Sequence, residues 1–95
     1  MTGMDARSAA LRALGDLREG RRTARQALDT LIAQNGLSDR DIALASELVH
    51  GVVRHRLTLS AVLSHFTRDR WGDIARRLRH VLMLGAYQII WLDAV

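Results

Sequence analysis

At 95 residues, with no cysteine and no proline, the chain is short enough for one small domain and cannot hold a disulfide, a thiolate nucleophile or a cysteine-based zinc site. Its 48% apolar content excludes a wholly disordered chain, and the abundance of alanine, leucine and arginine favours helix. All fourteen basic residues are arginine, against ten acidic residues, and the net charge of +4 points toward a polyanionic partner.

The first segment, Met1 to Arg18, sets Ala6, Ala10, Ala13, Leu14 and Leu17 on one helical face, where small side chains let another helix approach closely. Gly20 ends it, beside a basic stretch of Arg18, Arg21, Arg22 and Arg25. The second helix begins at Thr23, because Thr23-Ala24-Arg25-Gln26 has the form of a capping box. Ala24, Ala27, Leu28, Leu31 and Ile32 follow as its apolar stripe, and Asn35-Gly36 closes it through a left-handed glycine.

The third helix opens at Ser38, with Asp39 and Asp41 in the first turn, where negative charge suits the helix dipole. Ile42, Ala45, Leu48, Val49, Val52 and Val53 form its buried face, and Arg56 falls on that same face. The helix is therefore expected to bend or end between Arg54 and Leu57. Gly51 shares an outer stripe with Arg40, Glu47 and Arg54, roughly opposite the apolar face. Glycine inside a helix costs about 1 kcal/mol relative to alanine, so its presence marks close approach by another helix or a ligand.

A fourth helix carries Leu59, Val62, Leu63 and Phe66 at apolar spacing, and Thr67 to Asp73 reads as a loop around Trp71-Gly72. The fifth helix is predicted from about Asp73 to Leu92, with Ile74, Leu78, Val81, Leu82, Gly85, Ile89 and Leu92 inward. Its second half is apolar almost all round, which belongs in the middle of a core. Trp91, Leu92 and Val95 then need partners that four short helices do not fully supply. The expectation is one domain over residues 1–95 that is incomplete at its C-terminal end, or completed by another chain. The longest uncharged run, Val81 to Leu92, is well short of the ~20 residues that span a bilayer, and no secretion signal is evident. A soluble, cytoplasmic protein with no membrane partner is expected.

Four histidines, His50, His55, His65 and His80, stand without carboxylates at ligand spacing, so packing or exposed imidazoles are expected and no metal site. No GxSxG, Walker, GxGxxG or HExxH pattern occurs, and no catalytic residue is expected in the chain. The arginines are the better lead. Arg18, Arg21, Arg22 and Arg25 cluster in one loop and the turn after it, and Arg76, Arg77 and Arg79 cluster near the start of the fifth helix. Both groups lie toward helix N-termini, where the dipole disfavours positive charge. Phosphate held jointly by arginines and free backbone amides would explain that placement; a solvated charged face explains it equally well from charge alone.

The run Asp39-Arg40-Asp41-Ile42-Ala43-Leu44-Ala45-Ser46-Glu47-Leu48-Val49-His50-Gly51-Val52-Val53-Arg54-His55-Arg56 resembles the central helix of the NusB/RsmB family: DR, then A, then ELVxGV, then R. Leu82-Met83-Leu84-Gly85-Ala86-Tyr87-Gln88-Ile89-Ile90-Trp91-Leu92-Asp93 resembles that family's LRLGAYQLLxLD helix, with Met83 where arginine is usual. Gly85-Ala86-Tyr87-Gln88 and the trailing Leu92-Asp93 are nearer to the N-terminal domain of the RsmB/Sun/Fmu 16S rRNA cytosine-C5 methyltransferases than to free-standing NusB.

The resemblance implies an all-α, NusB-like helical bundle, of which about five helices are present and further ones follow in the family. It implies RNA binding, with 16S rRNA as the expected partner, and positioning of that RNA for a separate methyltransferase domain. S-adenosylmethionine would be the cofactor of that domain, and none is expected in this chain. Whether the parent protein is an enzyme therefore depends on residues other than these. The alternatives are a free-standing antitermination factor, which binds RNA and a ribosomal protein and regulates transcription, or a helical protein-interaction module. From the family's arginine-rich N-terminus, Arg7 and Arg12 are candidates. With Arg21, Arg22, Arg25, Arg76, Arg77 and Arg79 they make the expected RNA-contacting set. Phe66, Trp71, Tyr87 and Trp91 are the only aromatic side chains apart from histidine, and most are expected to be buried, so sequence preference should be weak.

Overall fold

A computed structural model describes residues 5–18, 23–68 and 70–92. These residues form five α-helices: α1 (Ala6–Arg18), α2 (Ala24–Asn35), α3 (Asp39–Arg54), α4 (Arg56–Phe66) and α5 (Arg76–Tyr87). A short 3-10 turn at Trp71–Asp73 precedes α5, and a π-helical turn at Gln88–Leu92 follows it. There is no strand among the described residues, so the fold is all-α as expected. Two compact units divide the chain within α3, Met1–His50 and Gly51–Val95.

In the first unit, local hydrogen bonds set the helix ends. Asp5 caps α1: its carboxylate accepts from the Ser8 amide at 2.8 Å, and its carbonyl accepts from Ala9 at 3.0 Å. The predicted capping box of α2 is formed in full. Thr23 Oγ1 accepts from the Gln26 amide at 3.2 Å, and Gln26 Oε1 accepts from the Thr23 amide at 3.0 Å. Gly36 closes α2 in the left-handed region at φ 59°, its amide donating to Ile32 O at 3.2 Å. Ser38 starts α3, accepting from the Asp41 amide on Oγ and from Ile42 on its carbonyl.

Helices α1 and α2 pack together. Ala6, Ala9, Ala10, Ala13 and Leu14 are buried on α1, and Ala27, Leu28 and Leu31 on α2. Side chains this small let two helix backbones come close, as the alanine spacing predicted. Ala45, Leu48, Val49 and Val52 are the buried apolar side chains of α3, while Val53, expected among them, is half exposed. The helix ends at Arg54, and His55 leaves the helical series at φ −104°, ψ 20° before α4 begins. That break lifts Arg56 off the apolar face and leaves it exposed, in the interval where a bend or an end was predicted.

In the second unit, two expectations fail for one reason. Gly51 does not lie on an outer stripe but is buried, and a Cβ there would fall inside the Tyr87 ring. Close approach by a second helix is therefore what the glycine permits. Tyr87 stacks on Trp91 with ring centroids 5.3 Å apart, and His55 stacks on Trp91 at 4.1 Å. This aromatic stack turns α5 so that His80, Met83, Leu84 and Tyr87 are buried. At about 100° per residue they lie roughly opposite the face predicted to be inward. Leu78, Val81 and Ile89, expected in the core, are 50%, 44% and 68% exposed. Met83 is buried, so an apolar side chain suits its position better than an arginine. Phe66, the last member of the predicted α4 face, is 76% exposed at the end of its helix.

Candidate nucleic-acid interface

Charge is divided unevenly along the chain. Met1–His50 carries seven arginines and seven carboxylates, whereas Gly51–Val95 carries seven arginines and three carboxylates. The whole net charge of +4 therefore belongs to the second unit. Among its described residues the only carboxylate is Asp73.

The predicted contact residues separate accordingly. Arg7 and Arg12 are exposed on α1, but five residues place them about 140° apart around the helix, so they do not share a face. Arg21 and Arg22 lie outside the described residues. Arg25 is exposed in the first turn of α2 and pairs with Asp29 at 3.9 Å. An exposed pair of that kind is worth little, at most about 1 kcal/mol, and leaves the guanidinium accessible to another anion.

Arg76, Arg77 and Arg79 are brought together at the start of α5, as predicted. No side chain caps this helix and its first turn holds no acidic residue, so its leading amides have no side-chain acceptor. Arg76 and Arg77 are exposed, and Arg79 is half-buried, with its Nε enclosed and lacking a hydrogen-bond acceptor among the described residues. A buried donor without an acceptor costs about 1–3 kcal/mol, and because this Nε is enclosed the donors open to a phosphate here are those of Arg76 and Arg77. Free amides, a positive dipole end and two exposed guanidinium groups form an environment suited to phosphate.

Five further exposed arginines lie outside the expected contact set: Arg40 near the start of α3, Arg54 and Arg56 around the α3–α4 break, and Arg68 and Arg70 after α4. A signal for Arg68 and Arg70 was present in the order His65-Phe66-Thr67-Arg68-Asp69-Arg70-Trp71, which interleaves rings with arginines. Three of the four histidines take structural places, and His65 is exposed. His80 is buried, His55 belongs to the aromatic stack, and His50 Nδ1 lies 2.9 Å from Ser46 O. A groove of about 280 Å³ in the first unit is lined by Leu28, Ile32 and Ile42, with Arg25, Asp29, Ser46 and His50. Among the described residues no three histidine or carboxylate groups converge, and no helix is long and apolar enough to cross a membrane.

The chain is similar to a Synechocystis protein named "Probable ribosomal RNA small subunit methyltransferase B", with 35% identity over 69 residues. That match covers 73% of this chain and 16% of the relative. It is also similar to a Mycobacterium tuberculosis protein named "Putative methyltransferase", 38% identical over 63 residues, covering 66% of this chain and 14% of the relative. The chain thus spans about a sixth of the length of these relatives. No solved structure matches it at a significant level. The family model described as "NusB family" matches residues 4–95, and together with the all-helical architecture and the two motifs on α3 and α5 this shows that the chain belongs to the NusB family.

Proposed function

We propose that this chain is the RNA-binding arm of a small-subunit ribosomal RNA methyltransferase. It holds 16S rRNA through arginine–phosphate contacts while a separate domain, supplied with S-adenosylmethionine, methylates a cytosine at C5 in the cytoplasm. The observation that carries this reading is the 35% identity, across 73% of this chain, to a relative named for ribosomal RNA methylation. The exposed arginines and the concentration of net charge in Gly51–Val95 supply a physical means of binding. These residues contribute attraction and orientation to the reaction. Orientation alone is effective, because holding a reactant in place converts a bimolecular encounter into an effectively unimolecular one.

The test is fluorescence anisotropy of the 95-residue chain with labelled fragments of 16S rRNA across a salt series. Affinity is expected to fall by roughly 0.7 log units per tenfold rise in salt for each single-strand phosphate neutralised. Replacing Arg21, Arg22 and Arg25, or Arg76, Arg77 and Arg79, with glutamine should weaken binding and flatten that slope. No binding at low salt, or binding indifferent to both triple replacements, sinks the proposal. The exposed row of Leu78, Val81 and Ile89 favours a second reading, in which α5 docks on a protein or domain. Self-association of the isolated chain without any RNA effect is the result that would favour it.

A further inference from the structure

We propose that the turn after α4 is a stacking platform for an unpaired RNA base, with Phe66 as the surface and Arg68 and Arg70 as flanking phosphate contacts. This deepens the RNA-binding reading above and rests on it. Phe66 is 76% exposed at a position whose helical spacing predicts burial, so packing does not account for its aromatic ring. Among the described residues its one ring neighbour is His65, in a T-shaped contact with centroids 5.6 Å apart and planes at 77°. One such neighbour can cover at most one face of the phenyl ring, which leaves the other for a ligand.

Hydrogen bonds tie down the described residues at and just past the end of α4. Thr67 donates from Oγ1 to Leu63 O at 2.8 Å and from its amide to the same oxygen at 2.9 Å. The Arg68 amide donates to His65 O at 3.4 Å, and the Arg70 amide to Thr67 O at 3.1 Å. Arg68 is the only described residue other than glycine in the left-handed region, at φ 53°. That conformation is disfavoured for an L side chain and easy for glycine, yet arginine occupies it. It stands one residue past the C-cap of α4, where helices commonly end in the left-handed region. Its side chain and that of Arg70 are exposed, and Trp71, the residue after Arg70, is half-buried.

The chemistry selects the ligand. Arginines alone would attract any polyanion, including duplex RNA or an acidic protein. An open phenyl face gains only from a partner with a flat π-surface, and bases splayed from single strands stack on aromatic rings in this way. The surplus positive charge of Gly51–Val95 draws the phosphates that accompany such bases. The platform would add stacking that tolerates any base, consistent with binding of weak sequence preference.

The experiment compares a labelled single-stranded RNA of about twelve nucleotides with a blunt RNA duplex of the same length, a span suited to one stacking site. The full 95-residue chain is used as wild type, Phe66→Leu and Phe66→Tyr. Leucine keeps the apolar bulk, and circular dichroism verifies that each variant is folded. Phe66→Leu is expected to weaken single-strand binding by roughly tenfold, the effect of one lost base stack, and to leave duplex binding unchanged. Phe66→Tyr is expected to retain wild-type affinity. If Phe66→Leu binds the single strand as tightly as wild type, or loses both RNAs equally, the platform is overturned while RNA binding stands. If wild type binds neither RNA at low salt, both this inference and the reading beneath it fail.

Discussion

The two units of this chain own equal numbers of arginines and employ them differently. In Met1–His50 seven carboxylates balance them, and polar side chains are consumed by the fold itself: Asp5, Thr23 and Ser38 each start a helix, and Asp29 pairs with Arg25. In Gly51–Val95 neither α4 nor α5 has a side-chain cap, and the arginines outnumber the carboxylates seven to three. Leu57, Phe66, Leu78, Val81 and Ile89 lie exposed there as well. A unit that satisfies its own ends is built to be stable; one that leaves helix starts, charge and apolar surface open has them free for a partner.

The sharpest way to test the packing side of that contrast is Gly51→Ala. The added methyl would collide with the Tyr87 ring, and that ring is held by its stack with His55 and Trp91. A loss of about 3 kcal/mol in urea denaturation is expected, at the upper end of overpacking costs. A loss below about 1 kcal/mol would mean that the stack yields easily and does not orient α5.

The charge side is tested by two double replacements with the same change in charge. Arg76→Gln with Arg77→Gln should flatten the salt dependence of RNA binding by roughly 1.4 log units per tenfold salt, at about 0.7 per contact. Arg7→Gln with Arg12→Gln should flatten it by about half as much or less, because those two side chains diverge around α1 and cannot both face one strand. Equal slopes would break the comparison between the units.

Thr23→Ala removes one side of the capping box and should cost about 1 kcal/mol by thermal or urea unfolding, with RNA affinity unaffected. Arg68→Gly should act in the opposite sense. Relief of the left-handed strain, less the entropy that glycine adds to the unfolded chain, leaves a gain of about 0.5 kcal/mol. The same variant should bind single-stranded RNA more weakly, and stability rising as affinity falls distinguishes a functional arginine from a structural one.

The smallest effect concerns pH. The hydrogen bond from the Ser8 amide holds the Asp5 carboxyl below its ordinary 3.8. A carboxylate with a depressed folded value stabilises the native state above the unfolded value and loses that contribution as pH falls through the folded one. Helix α1 should therefore fray only in strong acid, seen as loss of amide protection at Ser8 and Ala9. Asp5→Asn should abolish that pH dependence.

What could be read in advance follows the range of the interactions involved. The start of α2 at Thr23, its end at Gly36, the start of α3 at Ser38 and the break after Arg54 depend on hydrogen bonds and spacing within four residues, and each is found where predicted. The clustering of Arg76, Arg77 and Arg79 was legible for the same reason. Arg68, Arg70 and Phe66 were missed because apolar spacing on α4 made Phe66 look like core. Exposure of a terminal ring depends on what the chain does beyond the helix end.

The sequence by itself thus determined an all-helical chain of the NusB family, the positions of its caps and the presence of an arginine cluster at the start of α5. Only the tertiary structure decided which side of α5 is buried, why Gly51 must lack a side chain and which aromatic ring stands open. On a helix that is apolar nearly all round, periodicity cannot choose between Leu78, Val81 and Ile89 on one side and Met83, Leu84 and Tyr87 on the other. That choice is made by the fit of Tyr87 over Gly51 and its stack with His55 and Trp91, a packing of residues far apart in the chain that no local pattern contains.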